Sequence, residues 1–201
     1  MDLTNTNKLI VKQKRELWEM VGFETRNKYE IQNEHGVPIA FAAEQNKGFW
    51  GFIFRQFLGH WRRFNITIFA LDHQPVLQLN NPFRWFFQRF EIKKQGGAEL
   101  GYCQQRFGIF TKKFDLKAAS SQRLLEMRSG LFKIWTFPIY FKGREVACIS
   151  KKWGGLLKEM FLDADSFVIE FKDQQLSNDE RQLILAASIF TDLQYFEKKA
   201  E

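Results

Sequence analysis

The amino-acid sequence predicts a mainly β fold, a closed antiparallel barrel of about twelve strands around a buried C-terminal α-helix. Three observations predict it: a four-residue pattern of strand period recurs along the chain, turn residues follow each copy, and the best helical stretch is apolar on nearly every side.

The recurring pattern is a basic residue, an aromatic, a polar or acidic residue and an aliphatic. It reads Lys28-Tyr29-Glu30-Ile31, Arg63-Phe64-Asn65-Ile66, Arg89-Phe90-Glu91-Ile92 and Lys113-Phe114-Asp115-Leu116. Successive side chains of a strand point to opposite faces, so the aromatic and aliphatic groups share a buried face and the charged groups share the outer one. Turn signals follow at Asn33-Glu34-His35-Gly36, Leu71-Asp72-His73-Gln74-Pro75, Gln95-Gly96-Gly97 and Ala118-Ala119-Ser120-Ser121. Return strands then read Ile39-Ala40-Phe41-Ala42, Val76-Leu77-Gln78-Leu79 and Leu100-Gly101-Tyr102-Cys103. A further hairpin runs from Ile139 to Ile149, and Phe167, Ile169 and Phe171 alternate in one more strand. Many short strands joined by antiparallel turns make a sandwich or a barrel.

The helix begins at Ser177-Asn178-Asp179-Glu180, a capping box with Ser177 as N-cap and Glu180 at the third helical position. It is apolar nearly all round from Leu183 to Phe190 and continues through Leu193, Tyr195 and Phe196. Such a helix is buried or spans a membrane. A span needs roughly 20 apolar residues. Asp179, Glu180 and Arg181 precede this run and Asp192 follows it, so it is too short. It is therefore expected inside the barrel, because about twelve strands enclose more space than their own side chains fill. The expected organisation is one domain over residues 1–201, with strands over about 8–172 and the helix over about 178–197.

Composition supports a folded, non-secreted chain. Of 201 residues, 45% are hydrophobic and 23 are Phe, which excludes disorder and provides for a sizeable core. Cys103 and Cys148 are too few for a disulfide framework and lack metal-ligand spacing, which points to a reducing compartment. Met1 to Asn7 has neither the basic nor the apolar region of a signal peptide. A cytoplasmic location with peripheral membrane association and no transmembrane helix is expected. His35, His60 and His73 lie far apart, and no nucleophile elbow, phosphate loop or HExxH pair occurs, so an enzyme is not expected.

Charge is concentrated. Lys and Arg number 30 against 23 Asp and Glu, a net +7, and the stretch from Lys47 to Lys94 alone carries +6. That stretch also holds 13 of the 33 Phe, Trp and Tyr residues. Two runs stand out: Phe49, Trp50, Phe52, Phe54 and Arg55, with Arg62 following, and Arg84, Trp85, Phe86, Phe87 and Arg89. Aromatic rings sit at lipid headgroup depth, Arg binds phosphate bidentately, and its stem snorkels. Each basic residue near an anionic surface contributes about 1 kcal/mol. These residues form the candidate phospholipid-binding site, and the expected partner is an anionic phospholipid membrane. The competing reading makes the phenylalanines barrel core and the arginines outer-face charges. It suits the Arg63 and Arg89 repeats, whereas Phe49 to Phe54 lacks polar alternation and would form a costly exposed patch. An alternative function is a nucleic-acid-binding module, because basic-aromatic surfaces also stack bases and contact phosphates. Membrane loops gather their rings at one end of a fold, and a nucleic-acid groove spreads them along a strand face.

Several motifs in order resemble the phospholipid scramblase family. They are Gly22-Phe23-Glu24-Thr25-Arg26-Asn27-Lys28-Tyr29-Glu30-Ile31, Phe41-Ala42-Ala43-Glu44, Asn81-Pro82-Phe83-Arg84, Gly101-Tyr102, Ile149-Ser150-Lys151-Lys152-Trp153 and Phe161-Leu162-Asp163-Ala164-Asp165-Ser166-Phe167. The resemblance runs from about Leu3 to Glu197. It implies the Tubby-like fold, a twelve-stranded closed barrel around a C-terminal helix, and transbilayer phospholipid movement. Family members often carry a Pro-rich N-terminal tail and lipidated Cys clusters. Here the domain begins almost at Met1, and the corresponding stretches, 49–55 and 83–89, contain no Cys. The family's proposed calcium segment would fall on Asp163 to Gln174. Asp163 and Asp165 match its first and third positions, but Val168 replaces the turn glycine and Gln174 the closing carboxylate. Calcium needs several oxygens from a loop that curls around it, and the alternation of Phe167, Ile169 and Phe171 opposes curling. Calcium at Asp163 and Asp165 is thus possible by resemblance, while the simpler reading makes both turn or capping residues before a strand. No cofactor is required.

Overall fold

A computed structural model describes residues 1–14, 28–44, 64–82, 87–108, 111–130, 135–151 and 166–195. They form twelve strands: β1 (Lys8–Gln13), β2 (Lys28–Asn33), β3 (Pro38–Glu44), β4 (Phe64–Ala70), β5 (Pro75–Asn81), β6 (Arg89–Lys94), β7 (Glu99–Arg106), β8 (Lys112–Ala118), β9 (Leu124–Ser129), β10 (Thr136–Phe141), β11 (Arg144–Lys151) and β12 (Ser166–Phe171). Each pairs antiparallel with its neighbours in sequence, and β1 pairs with β12 to close the barrel. One helix follows among the described residues, α1 (Asn178–Tyr195). The predicted closed barrel with its C-terminal helix is the fold observed.

The repeating pattern does what its period requires. Phe90 and Ile92 of β6, and Phe114 and Leu116 of β8, are buried, while Arg89, Glu91, Lys113 and Asp115 reach solvent to different extents. The first copy departs in one respect. Tyr29 and Ile31 are buried as expected, yet Lys28 is also buried, so the outer wall of β2 is covered at that point. The turn signals at 33–36, 71–74, 95–97 and 118–121 all lie at hairpins. Asn33 Oδ1 accepts from the amides of His35 and Val37 at 3.0 Å, and Asp72 Oδ1 accepts from Gln74 at 3.1 Å, the local bonding that favours turns over strands.

Helix α1 fills the lumen. Leu183 to Ala187, Ile189 and Phe190 are fully buried. The Phe190 ring lies 5.0 Å from Phe90 and meets Phe114 edge-on at 5.8 Å, so β6 and β8 grip one residue of the helix between them. The capping box forms as read: Glu180 N donates to Ser177 Oγ at 3.2 Å, and Ser177 N donates to Glu180 Oε2 at 2.9 Å. Cys103 faces this core, where burial pushes its thiol up and leaves it inert.

Candidate functional site

An up-and-down barrel has two ends, and here they differ. At one end the strands are joined by residues 34–37, 71–74, 95–98, 119–123 and 142–143, and the N-terminal segment and the start of α1 lie there too. None of these connections contains Phe, Tyr or Trp. At the other end the joins are 14–27, 45–63, 82–88, 107–111, 130–135 and 152–165. All six tryptophans of the sequence, Trp18, Trp50, Trp61, Trp85, Trp135 and Trp153, fall in this second set.

The hairpin end is cross-braced by internal bonds. Arg181, fully buried, donates to the carbonyls of Leu176 (3.1 Å), Thr6 and Asp173 (3.4 Å), and its guanidinium lies 4.8 Å from the Phe171 ring centre. Asp173 receives Arg123 and Arg144, each at 2.8 Å. Burial works to raise the Asp173 carboxyl, but the Gln175 amide and these two arginines prevail and hold it below its ordinary value. Asp179 at the start of α1 is likewise held down, against burial, by Lys94 at 2.8 Å and Ser120 at 2.6 Å. Leu3 donates its amide to Asn178 Oδ1 at 2.8 Å, which ties the N-terminal segment across the helix start. The charged groups around the helix start are thus held by internal partners.

Toward the other end the barrel's inner lining turns polar. Glu44, Asn81 and Ser129 continue the inward rows of Ala42, Leu79 and Met127, and all three are buried. Near the helix C-terminus, Tyr29 Oη donates to Asp192 Oδ2 at 2.8 Å. The ammonium of Lys151, also buried, lies 3.9 Å from Asp192 and 5.1 Å from the Phe167 ring centre. The sequence marked Tyr29 for the core and gave no sign of Asp192 as its partner, because the two are far apart in the chain.

Of the candidate binding residues, Phe87 and Arg89 are described. Phe87 is exposed, just before β6. Arg89 begins β6 with its guanidinium 3.9 Å from the Tyr102 ring centre and 3.9 Å from Glu91, an outer-face charge as the simpler reading has it. Phe49, Trp50, Phe52, Phe54, Arg55, Arg62, Arg84, Trp85 and Phe86 lie outside the described residues, as do Asp163 and Asp165. What the structure provides for them is their points of attachment. Glu44 and Phe64 flank one run, Pro82 and Phe87 the other, and Lys151 and Ser166 the acidic pair, all at the same end of the barrel. Among the described residues no group of His, Cys, Asp and Glu could hold a metal ion, and no helix is long and apolar enough to cross a membrane.

Sequence comparison agrees with this architecture. The Scramblase family model matches residues 1–198. The chain is 32% identical to phospholipid scramblase 2 of Bos taurus over 97% of its own length and 70% of that protein's. It is 30% identical to human phospholipid scramblase 1, covering 97% of this chain and 64% of that one, and 29% identical to human phospholipid scramblase family member 5, covering 97% and 76%. No solved structure matches it significantly.

Proposed function

The chain belongs to the phospholipid scramblase family, and on that premise we propose that it binds anionic phospholipid membranes peripherally and mediates transbilayer phospholipid movement from the cytoplasmic face. The observation that carries this reading is the asymmetry of the barrel's ends. Both basic-aromatic runs, and every tryptophan, belong to connections rooted at one end. Ring-bearing connections rooted at one end suit an interface with a bilayer, where indole and phenyl groups settle at headgroup depth and arginine meets phosphate.

The barrel wall supports peripheral association. Its lumen is apolar through the middle and its outer face carries Arg89, Glu91, Lys113, Asp115, Glu126 and Arg128, the reverse of a barrel whose outside meets lipid. The same arrangement constrains the route of a moving lipid. A headgroup needs a polar path through hydrocarbon. Since α1 occupies the lumen, that path runs outside the barrel, along a surface completed by thinned bilayer or by further copies of the chain. Moving a lipid makes and breaks no covalent bond, so no catalytic residue is invoked.

Flotation with neutral and phosphatidylserine-containing vesicles, with calcium and with chelator, tests the reading. Binding to anionic vesicles alone, weakened by salt, is expected, and it should persist in chelator because the calcium segment that begins at Asp163 and Asp165 lacks its turn glycine and closing carboxylate, at Val168 and Gln174. Truncating Trp50, Phe52, Trp85 and Phe86 together to Ala should abolish flotation while the fold survives. Unchanged flotation of that variant would overturn aromatic insertion. Binding to single-stranded nucleic acid with no vesicle binding would favour the other class of partner.

A further inference from the structure

We infer that the barrel meets the bilayer tilted, with the wall formed by β6, β7, β8 and β9 turned toward it. In that pose Phe87 and Phe107 enter the interface, and Arg106, Lys113 and Arg128 lie against lipid phosphates. The inference rests on the membrane-binding reading and adds an orientation to it, carried by residues outside the two basic-aromatic runs except for Phe87.

The strand register makes the surface. Arg106 of β7 pairs with Lys113 of β8, and Lys113 pairs with Arg128 of β9, so three exposed cations stand side by side across three strands. Strands lie about 4.8 Å apart, which places the row within about 10 Å. The next row away from the long-connection end is Gln104, Asp115 and Glu126. The wall is therefore layered, with cations nearest that end and carboxylates behind them. Arg106 reaches back to Asp115 at 3.3 Å and Arg128 to Glu126, which holds both guanidiniums in place. The Arg106 and Arg128 side chains remain more than half exposed, and each guanidinium has five N–H donors, so donors remain for a phosphate. Glu126 is held below its ordinary value first by the hydrogen bond from Arg128, with the charges of Arg106 and Lys113 contributing, a sign that the three cations share one neighbourhood.

Two rings flank this row. Phe107 is 72% exposed and Phe87 44%, and among the described residues they are the exposed large aromatics. Their chain segments run side by side, because Gln88 O accepts from Gln105 N at 2.8 Å, which ties the start of β6 to the end of β7. Phe107 is followed by a position that fits glycine without rearrangement: a Cβ on Gly108 would lie 2.2 Å from the carbonyl oxygen of Thr111, and the backbone would have to shift. The exposed hydrophobics at the hairpin end, Val37, Leu71 and Leu124, are aliphatic. A free phosphate or a soluble anion would satisfy the cations but not the rings. An anionic bilayer satisfies both, which is why the surface is assigned to lipid.

The test uses the full chain and phosphatidylserine-containing vesicles in three arms. Neutralising the row (Arg106→Gln, Lys113→Gln, Arg128→Gln) should weaken vesicle binding at least tenfold, at about fivefold per charge. Phe87→Ser with Phe107→Ser should weaken it comparably. A control triple of equal charge loss at the hairpin end (Lys8→Gln, Lys142→Gln, Lys172→Gln) should change it less than threefold. If the row and the control lose binding equally, or if neither the row nor the ring variant loses any, the orientation is overturned while the Trp50, Phe52, Trp85, Phe86 experiment still decides membrane binding. If the row variant loses oligonucleotide binding and keeps vesicle binding, the surface belongs to nucleic acid. A labelling measurement covers misfolded variants. With Cys148→Ser removing the accessible native thiol, an environment-sensitive fluorophore on Phe107→Cys should shift blue on adding vesicles and one on Leu71→Cys should not. Equal shifts, or none at position 107, would overturn the proposal. Failure of the wild type to bind any vesicle would remove both this inference and the reading beneath it.

Discussion

At the hairpin end of the barrel the connections are short and free of Phe, Tyr and Trp, and charged groups around the helix start are bonded internally: Arg181 to three carbonyls, Asp173 to Arg123 and Arg144, Asp179 to Lys94. At the opposite end the connections carry every tryptophan, and the adjacent wall shows Phe87, Phe107 and a row of cations to solvent. Both ends close the same barrel, so the difference is not imposed by the fold. It separates a rim that keeps its polar groups for holding the helix from a rim whose composition suits a partner.

Perturbing each end separately breaks or sharpens this contrast. The largest effect is expected from Arg181→Met. Two buried carbonyls and one part-buried carbonyl lose their donor and the Phe171 contact goes, so stability should fall by about 3 kcal/mol, read as a lower urea midpoint. Vesicle binding by the folded fraction should not move. If it does, the two ends are coupled through α1.

A matched pair of glycines comes next. A Cβ on Gly101, near the hairpin end of β7, would sit 2.2 Å from the Lys117 carbonyl oxygen, and one on Gly108 the same distance from the Thr111 carbonyl oxygen. Gly101→Ala should cost about 2 kcal/mol, because β8 backbone must shift inside the sheet. Gly108→Ala should cost about 1 kcal/mol, because the strain falls on a connection, yet it should weaken vesicle binding by displacing Phe107. Equal stability losses would show the long-connection end to be as rigid a part of the barrel as the other.

The smallest effect is on pH dependence. Asp173 and Asp179 both titrate below their ordinary 3.8 in the folded chain. Their stabilisation is present in full above that value and is lost as pH falls from 3.8 through the lower folded-state value. Melting temperature should therefore drop below pH 3.8, and Asp173→Asn should flatten part of that drop. An unchanged acid profile in the variant would mean that Asp173 is not held by Arg123 and Arg144 in solution.

Much of this was legible in the sequence for local reasons. The Arg89 and Lys113 repeats state their inward and outward faces, Asn33 and Asp72 bond to their own turns, and Ser177 and Glu180 cap a helix within one turn of backbone. Strands β1 and β9 were less legible. Neither carries the basic-aromatic template, and β9, Leu-Leu-Glu-Met-Arg-Ser, is built largely from good helix formers. Its strand state comes from pairing Leu125 with Leu116 and Met127 with Phe114 over the same core. At the candidate site the sequence named Phe87 and Arg89 from composition, but not Phe107, Arg106, Lys113 and Arg128 as a surface. Those four stand in ordinary strand-end positions and become one patch only through register.

By itself the sequence determined the period of the strands, the places of the turns, the cap and apolar girth of the helix, and the motifs of a family, because each is written within a few neighbouring residues. Tertiary structure decided that β1 meets β12, that Tyr29 meets Asp192, and that the aromatic connections are rooted at one end of the barrel. These depend on closing the sheet, which joins residues at opposite ends of the chain, and no local preference carries that information.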